Sequence, residues 1–283
     1  MKKFFKSLGA GLGFVGIFVG AQLIVFFALN FYYSAMIGYE SAQSGNELAL
    51  KEINALLSDK FTGAITLISV ISGVVALLII LIIFKARHKN FREEINIKPI
   101  RLISIPIIIL MGISLNLLIQ ILISCLPIPL ELMESYSQAS QFTQDTSIIS
   151  FLAIVIMAPI AEEIFFRGLV LSRFSKSMPI VVSIILQAII FGLIHGTVLW
   201  FSYATIIGLV LGLLAYKQKS ILGCMILHFS INGLSFMINI FKIEFNDVTA
   251  MVTLIISAIV FVICIVMMFS NKFNNSKQKI VNT

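Results

Sequence analysis

The chain has 283 residues, 59% of them hydrophobic and only 12% charged, with a mean hydropathy of +1.05. A soluble domain of this size could not hide that much apolar surface, because a globular surface is substantially polar. Lipid is the expected solvent, and the net charge of +7 has to be judged by where the charges sit before it is read as a sign of nucleic-acid binding.

A spanning helix needs about 20 apolar residues, and eight segments are predicted to meet that need: 8–36, 61–84, 102–126, 147–170, 179–198, 200–216, 221–241 and 249–270. The first follows Met1-Lys2-Lys3-Phe4-Phe5-Lys6 and mimics a secretory signal. Its apolar run is too long for a signal core, so it is predicted to be a retained helix. Gly9, Gly13, Gly16 and Gly20 give it small-residue spacing, which lets helices approach closely. Gly208 and Gly212 repeat the pattern in the sixth span. Both sets are read as bundle packing, with a homo-oligomer contact as the alternative. Residues 37–60 and 127–146 read as loops, too short for a soluble domain. The fifth and sixth spans are short, with a turn expected near Gly196–Ser202. Cys125, Cys224 and Cys264 sit in or beside apolar runs without paired spacing, which suits packing rather than disulfides or a zinc finger. The expected fold is an all-α, polytopic membrane helix bundle, divided as 1–100, 101–245 and 246–283.

Lysine and arginine test the threading, because they gather in cytoplasmic loops. With eight spans and the N-terminus inside, all twenty basic residues except Lys51, Lys60 and Lys242 fall on the inner side. The outer loops hold Glu40, Glu47, Glu52, Asp59, Glu131, Glu134, Asp145, Glu244 and Asp247. The basic excess therefore encodes orientation, with both termini cytoplasmic, and no nucleic-acid partner is expected.

Charged side chains inside a span cost several kcal/mol each. Away from helix ends only Glu162, Glu163, Arg167, His195 and His228 are found, on the fourth, fifth and seventh spans. Adjacent glutamates project about 100° apart on a helix, so Glu162 and Glu163 should have different tasks. Glu163 and Arg167 stand at i,i+4 in the favourable order for an ion pair, leaving Glu162 free to act as a base. Glu162 and His195 are equidistant from a turn at Met178–Pro179, so they should meet across an antiparallel hairpin. His228 and Asn232 share one helix face. His228 lies roughly 12 Å from its inner helix end, and Glu162 and His195 roughly 24 Å from their hairpin tip, at 1.5 Å per residue. An extended hairpin, with the site in the cytoplasmic half of the membrane, reconciles the two depths. Cys224, one turn before His228, could form a nucleophile pair with it, but Glu162 and Glu163 would then have no task.

A carboxylate and two imidazoles in an apolar cavity suit water activation. Glu162 would take a proton from water, His195 would help to hold that water, and His228 with Asn232 would donate to the oxyanion of a tetrahedral intermediate. The rival is a zinc ion on Glu162, His195 and His228 with a fourth position for water. A metal-free mechanism with no cofactor is favoured, because with Glu162 as a ligand another base would be needed and Glu163 is engaged by Arg167.

The ordered set Glu162-Glu163-x-x-x-Arg167, Phe191-x-x-x-His195 and His228-x-x-x-Asn232 resembles the CAAX protease and bacteriocin-processing (CPBP, or Abi) family, which includes the Rce1-type prenyl-protein endopeptidases. The resemblance covers roughly residues 100–241, and makes 101–245 the protease core. It implies an eight-helix-like bundle with an intramembrane cavity and endopeptidase activity of glutamate type, in a family first considered metal-dependent. Carried onto this chain, it gives Glu162 the base role, Glu163 with Arg167 support, His195 the water-orienting role, and His228 and Asn232 the oxyanion role. Richness in Ile, Lys, Asn and Phe and a short chain point to a bacterial plasma-membrane protein. Its substrate would be a membrane-associated peptide or protein, in peptide maturation, bacteriocin immunity or regulation. Two rivals remain: a non-catalytic immunity or sensor-binding protein on the same scaffold, and a proton-carrying transporter. No internal repeat supports the transporter.

Overall fold

The computed structural model describes residues 1–44 and 50–270. Glu47, Lys272, Lys277 and Lys279, used in the threading above, lie outside the described residues, as do the side chains of Lys51 and Asp59. Nine helices organise the described chain: α1 (Lys2–Ser44), α2 (Leu50–Ala86), α3 (Ser104–Cys125), α4 (Leu130–Ser140), α5 (Ile148–Phe174), α6 (Ile180–Leu193), α7 (Val198–Gln218), α8 (Leu222–Phe241) and α9 (Asp247–Phe269). Seven are long and apolar enough to cross a membrane, and α6 is a shorter apolar helix. All eight expected spans are therefore present as helices. The segment 37–60, expected as a loop, is largely helix, because α1 runs on to Ser44 and α2 begins at Leu50. Segment 127–146 likewise contains the amphipathic α4.

Helix α5 is the axis of the bundle and touches α1, α2, α6, α7 and α8. Phe165, Phe166, Leu169 and Val170 are fully buried along it. Phe18 of α1 packs on Phe165 and Phe166, and Phe166 packs on Phe191 of α6, with ring centroids 5.0, 5.8 and 5.2 Å apart. α3 packs against α8 and α9, and α6 against α7. The outward faces of α1 and α9 expose residues such as Leu23, Phe27, Ile259 and Val262, as a lipid-facing surface should.

The two glycine patterns part company. A Cβ on Gly208 would press on Ala188, and one on Gly212 on Gln187, so these glycines let α7 lie close against α6. Around Gly9, Gly13, Gly16 and Gly20 nothing beyond the adjoining helix backbone lies within 4 Å of where a Cβ would be. The bundle-packing expectation is thus corrected for α1, whose glycines face away from the other helices.

The basic segment between α2 and α3 fastens two helix ends together. The Ile221 N–H donates to the Asn96 carbonyl at 3.2 Å, and Ser220 Oγ donates to the Lys98 carbonyl at 2.6 Å. Asn96 Nδ2 donates to Ser172 Oγ at 3.2 Å, and Glu94 pairs with Arg173 at 2.5 Å and Lys89 at 2.9 Å. Ile95 is fully buried against Gly168, where a Cβ would come within 2.9 Å of it. The segment clasps the end of α5 to the start of α8, the two helices that supply most of the ionisable groups within the membrane.

Candidate active site

α5 is not uniformly wound. Phe151–Met157 and Glu163–Leu171 adopt wider π-helical turns, with Ala158–Glu162 as ordinary α-helix between them. Pro159 accounts for the first: it has no N–H to give to the carbonyl four residues back, and its ring crowds that carbonyl. Such widenings recur at functional sites. The Ile154 carbonyl, in the widened stretch, accepts from Asn232 Nδ2 at 2.9 Å, which ties α8 to α5.

Glu162 and Glu163 flank the junction between the two windings, and both face the imidazole of His228. Glu163 Oε1 is 2.8 Å from His228 Nδ1, and Glu162 Oε2 is 3.7 Å from His228 Nε2. Glu163 Oε1 also accepts from Arg167 NH1 at 2.9 Å, with both side chains fully buried. The Arg167 guanidinium lies 4.3 Å from the Phe191 ring centroid, and its NH2 donates to the Gly208 carbonyl at 3.4 Å. Gln187 Nε2 donates to that same carbonyl at 2.9 Å. Glu163 is thus fixed by a cation, an imidazole and a closed apolar wall. The Glu162 side chain keeps 17% of its surface open, and 3.7 Å is beyond a hydrogen bond. Of the adjacent carboxylates, one is locked and one is available.

His195 was expected on a helix. It lies instead in the break Ile194–Thr197 between α6 and α7, which Gly196 allows by adopting φ +86°. The turn therefore comes earlier than Gly196–Ser202, and α6 is about 21 Å long. His195 Nδ1 is 2.7 Å from the Phe191 carbonyl. A carbonyl only accepts, so Nδ1 carries the hydrogen and Nε2 is left for another partner. Phe191 contacts both imidazoles, with centroids 4.9 Å from His195 and 6.1 Å from His228. Among the described residues no ion pair joins Glu162 to His195; Phe191 bridges His195 to the cluster. The Cys224 thiol donates to the Leu211 carbonyl at 3.3 Å, so it is directed at α7 and not at His228.

Residues 144–234 match the family model described as type II CAAX prenyl endopeptidase Rce1-like. This segment is Rce1-like. The match bears out the resemblance to the Rce1-type family and supports an intramembrane endopeptidase at the level of the family. No curated protein and no solved structure matched the chain. The Rce1-like segment contains α5, α6, α7 and most of α8, and with them Glu162, Glu163, Arg167, His195, His228 and Asn232.

Within it, the zinc set of Glu162, His195 and His228 does not gather: among the described residues no three His, Cys, Asp or Glu side chains converge to hold a metal ion. The donors do not fit that ion in this arrangement. Neutral groups also surround these residues and carry no charge signal in the sequence: the Gly208 and Ile154 carbonyls, Gln187, and Trp200, whose ring lies 5.5 Å from that of His195. Gln187 was within reach of sequence reading, as a lone amide in the apolar run Ile180–Leu193.

Proposed function

We propose that the chain is an intramembrane endopeptidase that hydrolyses a peptide bond of a membrane-associated peptide or protein with water activated by Glu162. The observation that carries this reading is the asymmetry of the two glutamates: Glu163 is neutralised by Arg167 at 2.9 Å, while Glu162 stays partly accessible beside His228 Nε2 at 3.7 Å.

Glu162 takes a proton from water, and the oxygen of that water bonds to the scissile carbonyl carbon. His195 Nε2 orients the water. The developing oxyanion receives hydrogen bonds from His228 Nε2–H and from the second amide hydrogen of Asn232, one helical turn along the same face. Glu162 then returns its proton to the amide nitrogen as the C–N bond breaks, leaving a carboxylic acid and an amine. Charge balance supports this proton traffic. With both glutamates ionised, and Arg167 and His228 protonated, the cluster is neutral. Proton transfer from water to Glu162 leaves the total unchanged, because the negative charge passes to the oxyanion, so the step adds no net charge to a low-dielectric site.

Every step uses the chain's own groups and no cofactor. The distribution of Lys and Arg supports cytoplasmic termini, and the composition supports a bacterial plasma membrane. Peptide maturation, bacteriocin immunity or regulation would be the setting. The test is to incubate the purified protein in nanodiscs with membrane-spanning peptides, with and without a chelator, and to identify the products by mass spectrometry. Cleavage that persists in chelator is expected. Cleavage lost in chelator and restored by zinc would overturn the metal-free mechanism, and no cleavage of any peptide would favour the non-catalytic scaffold.

A further inference from the structure

His195 has no helix to hold it. Its backbone belongs to the four-residue break Ile194–Thr197, so its ring is oriented by what surrounds it. One side is fixed by the Nδ1–H bond to the Phe191 carbonyl, 2.7 Å away, and by the edge of the Phe191 ring. The other side faces the indole of Trp200, with centroids 5.5 Å apart. Trp200 sits in the first turn of α7, where its backbone N–H donates to Thr197 Oγ1 at 3.3 Å. Its ring meets Tyr136 of α4 edge-on, 6.0 Å away. Tyr136 also packs on Tyr203, one turn further along α7, at 6.1 Å.

α4 is otherwise a polar helix with five of its eleven residues Ser or Glu. α7 is the element it packs against most. A polar segment between two spans therefore sends one aromatic side chain into the bundle, and that side chain ends a chain of ring contacts running Tyr136, Trp200, His195. Tyr136 meets Trp200 edge to face, at 83°, and Trp200 meets His195 at a tilt of 50°; contacts of this kind depend on the angle between the rings. Loss of any member frees the next to turn.

We propose that Tyr136 and Trp200 are positioning residues for His195. They hold its imidazole with Nε2 directed into the site, and so make the catalytic geometry depend on α4 being docked. The inference rests on the reading of His195 as the residue that orients water. It adds a second control point, because a substrate or partner that lifts α4 would loosen His195 without touching it.

The test uses the full chain in nanodiscs with two readouts. The first is the ring nitrogen spectrum of ¹⁵N-labelled histidine, assigned among the three histidines of the chain with His195→Gln. It is recorded without substrate. The second is the split of kcat from KM on a cleaved peptide. Tyr136→Phe keeps the ring and should retain the single Nδ1–H tautomer. Tyr136→Ala and Trp200→Leu should give mixed tautomers at His195, and lower kcat by up to about 100-fold with KM little changed, as expected for a misplaced group. Tyr136 lies on a partly exposed helix, so its alanine variant should fold, and Trp200→Phe provides a second conservative check. A wild-type ring spectrum in Tyr136→Ala would overturn the proposal. If no form cleaves any peptide, the endopeptidase reading fails, while the ring spectrum still decides whether α4 positions His195.

Discussion

Glu162 and Glu163 are neighbours in sequence and opposites in circumstance. Glu163 is enclosed with Arg167 and His228, so removing a partner strands a buried charge. Arg167→Ala should therefore destabilise the fold by about 3–5 kcal/mol, read as a fall in unfolding midpoint, with activity lost as a consequence. Glu162→Gln should leave that midpoint almost unchanged and still slow cleavage by about 10²–10⁴-fold. The Glu163–Arg167 pair was legible in the sequence, because its i,i+4 spacing fixes the contact through local geometry alone. That both glutamates reach one imidazole was not legible. It depends on the change of winding at Glu163, and ideal α-helical projection sends the two side chains apart. The Gly208 and Ile154 carbonyls were invisible for another reason: every residue has a carbonyl, and only tertiary packing reveals which of them accepts a side chain.

Helix existence followed from apolar run length, and helix ends did not. His195 was read onto a helix because the apolar pattern continues through it, whereas Gly196 ends α6 by taking a left-handed conformation. The hairpin symmetry that paired Glu162 with His195 assumed regular winding on both arms, and the π-helical turns over Glu163–Leu171 remove that regularity from the α5 arm. At this scale Asn232 connects two elements. Asn232→Leu removes its bond to the Ile154 carbonyl, and should weaken the bundle by about 0.6 kcal/mol, the average for hydrogen bonds between membrane helices, and by no more than about 1.7. Thermal unfolding in one fixed lipid composition measures it. Gly212→Val tests the close approach of α6 and α7. Its side chain would meet Gln187, and overpacking of this kind costs about 1–3 kcal/mol.

Across the whole molecule, the site is held from two ends. At one end the Glu94 clasp joins α5 to the neighbourhood of α8, and at the other α4 leans on α7. Partial burial works against ionisation of Glu94, yet hydrogen bonds from Lys89 and Arg173 outweigh it and hold its carboxyl at about 2, below its ordinary 4.5. A depressed carboxyl contributes stability that is complete above its unfolded value and is lost as pH falls toward the folded one. The unfolding midpoint should thus drop between about pH 4.5 and pH 2, and Glu94→Gln should flatten that part of the profile. The clasp was not legible in the sequence, because its residues read as topology-setting basic charge, and their contacts span distant segments.

The central claim is that Glu162 activates the water that cleaves the substrate. Its most direct test is the rate of cleavage of one membrane peptide by wild-type protein and by Glu162→Gln, compared at equal unfolding midpoint in the same nanodiscs. A general base contributes about 10²–10⁴-fold, so a fall of that size in kcat, with KM little altered, is the predicted result. A Glu162→Gln protein that cleaves at the wild-type rate would contradict the account.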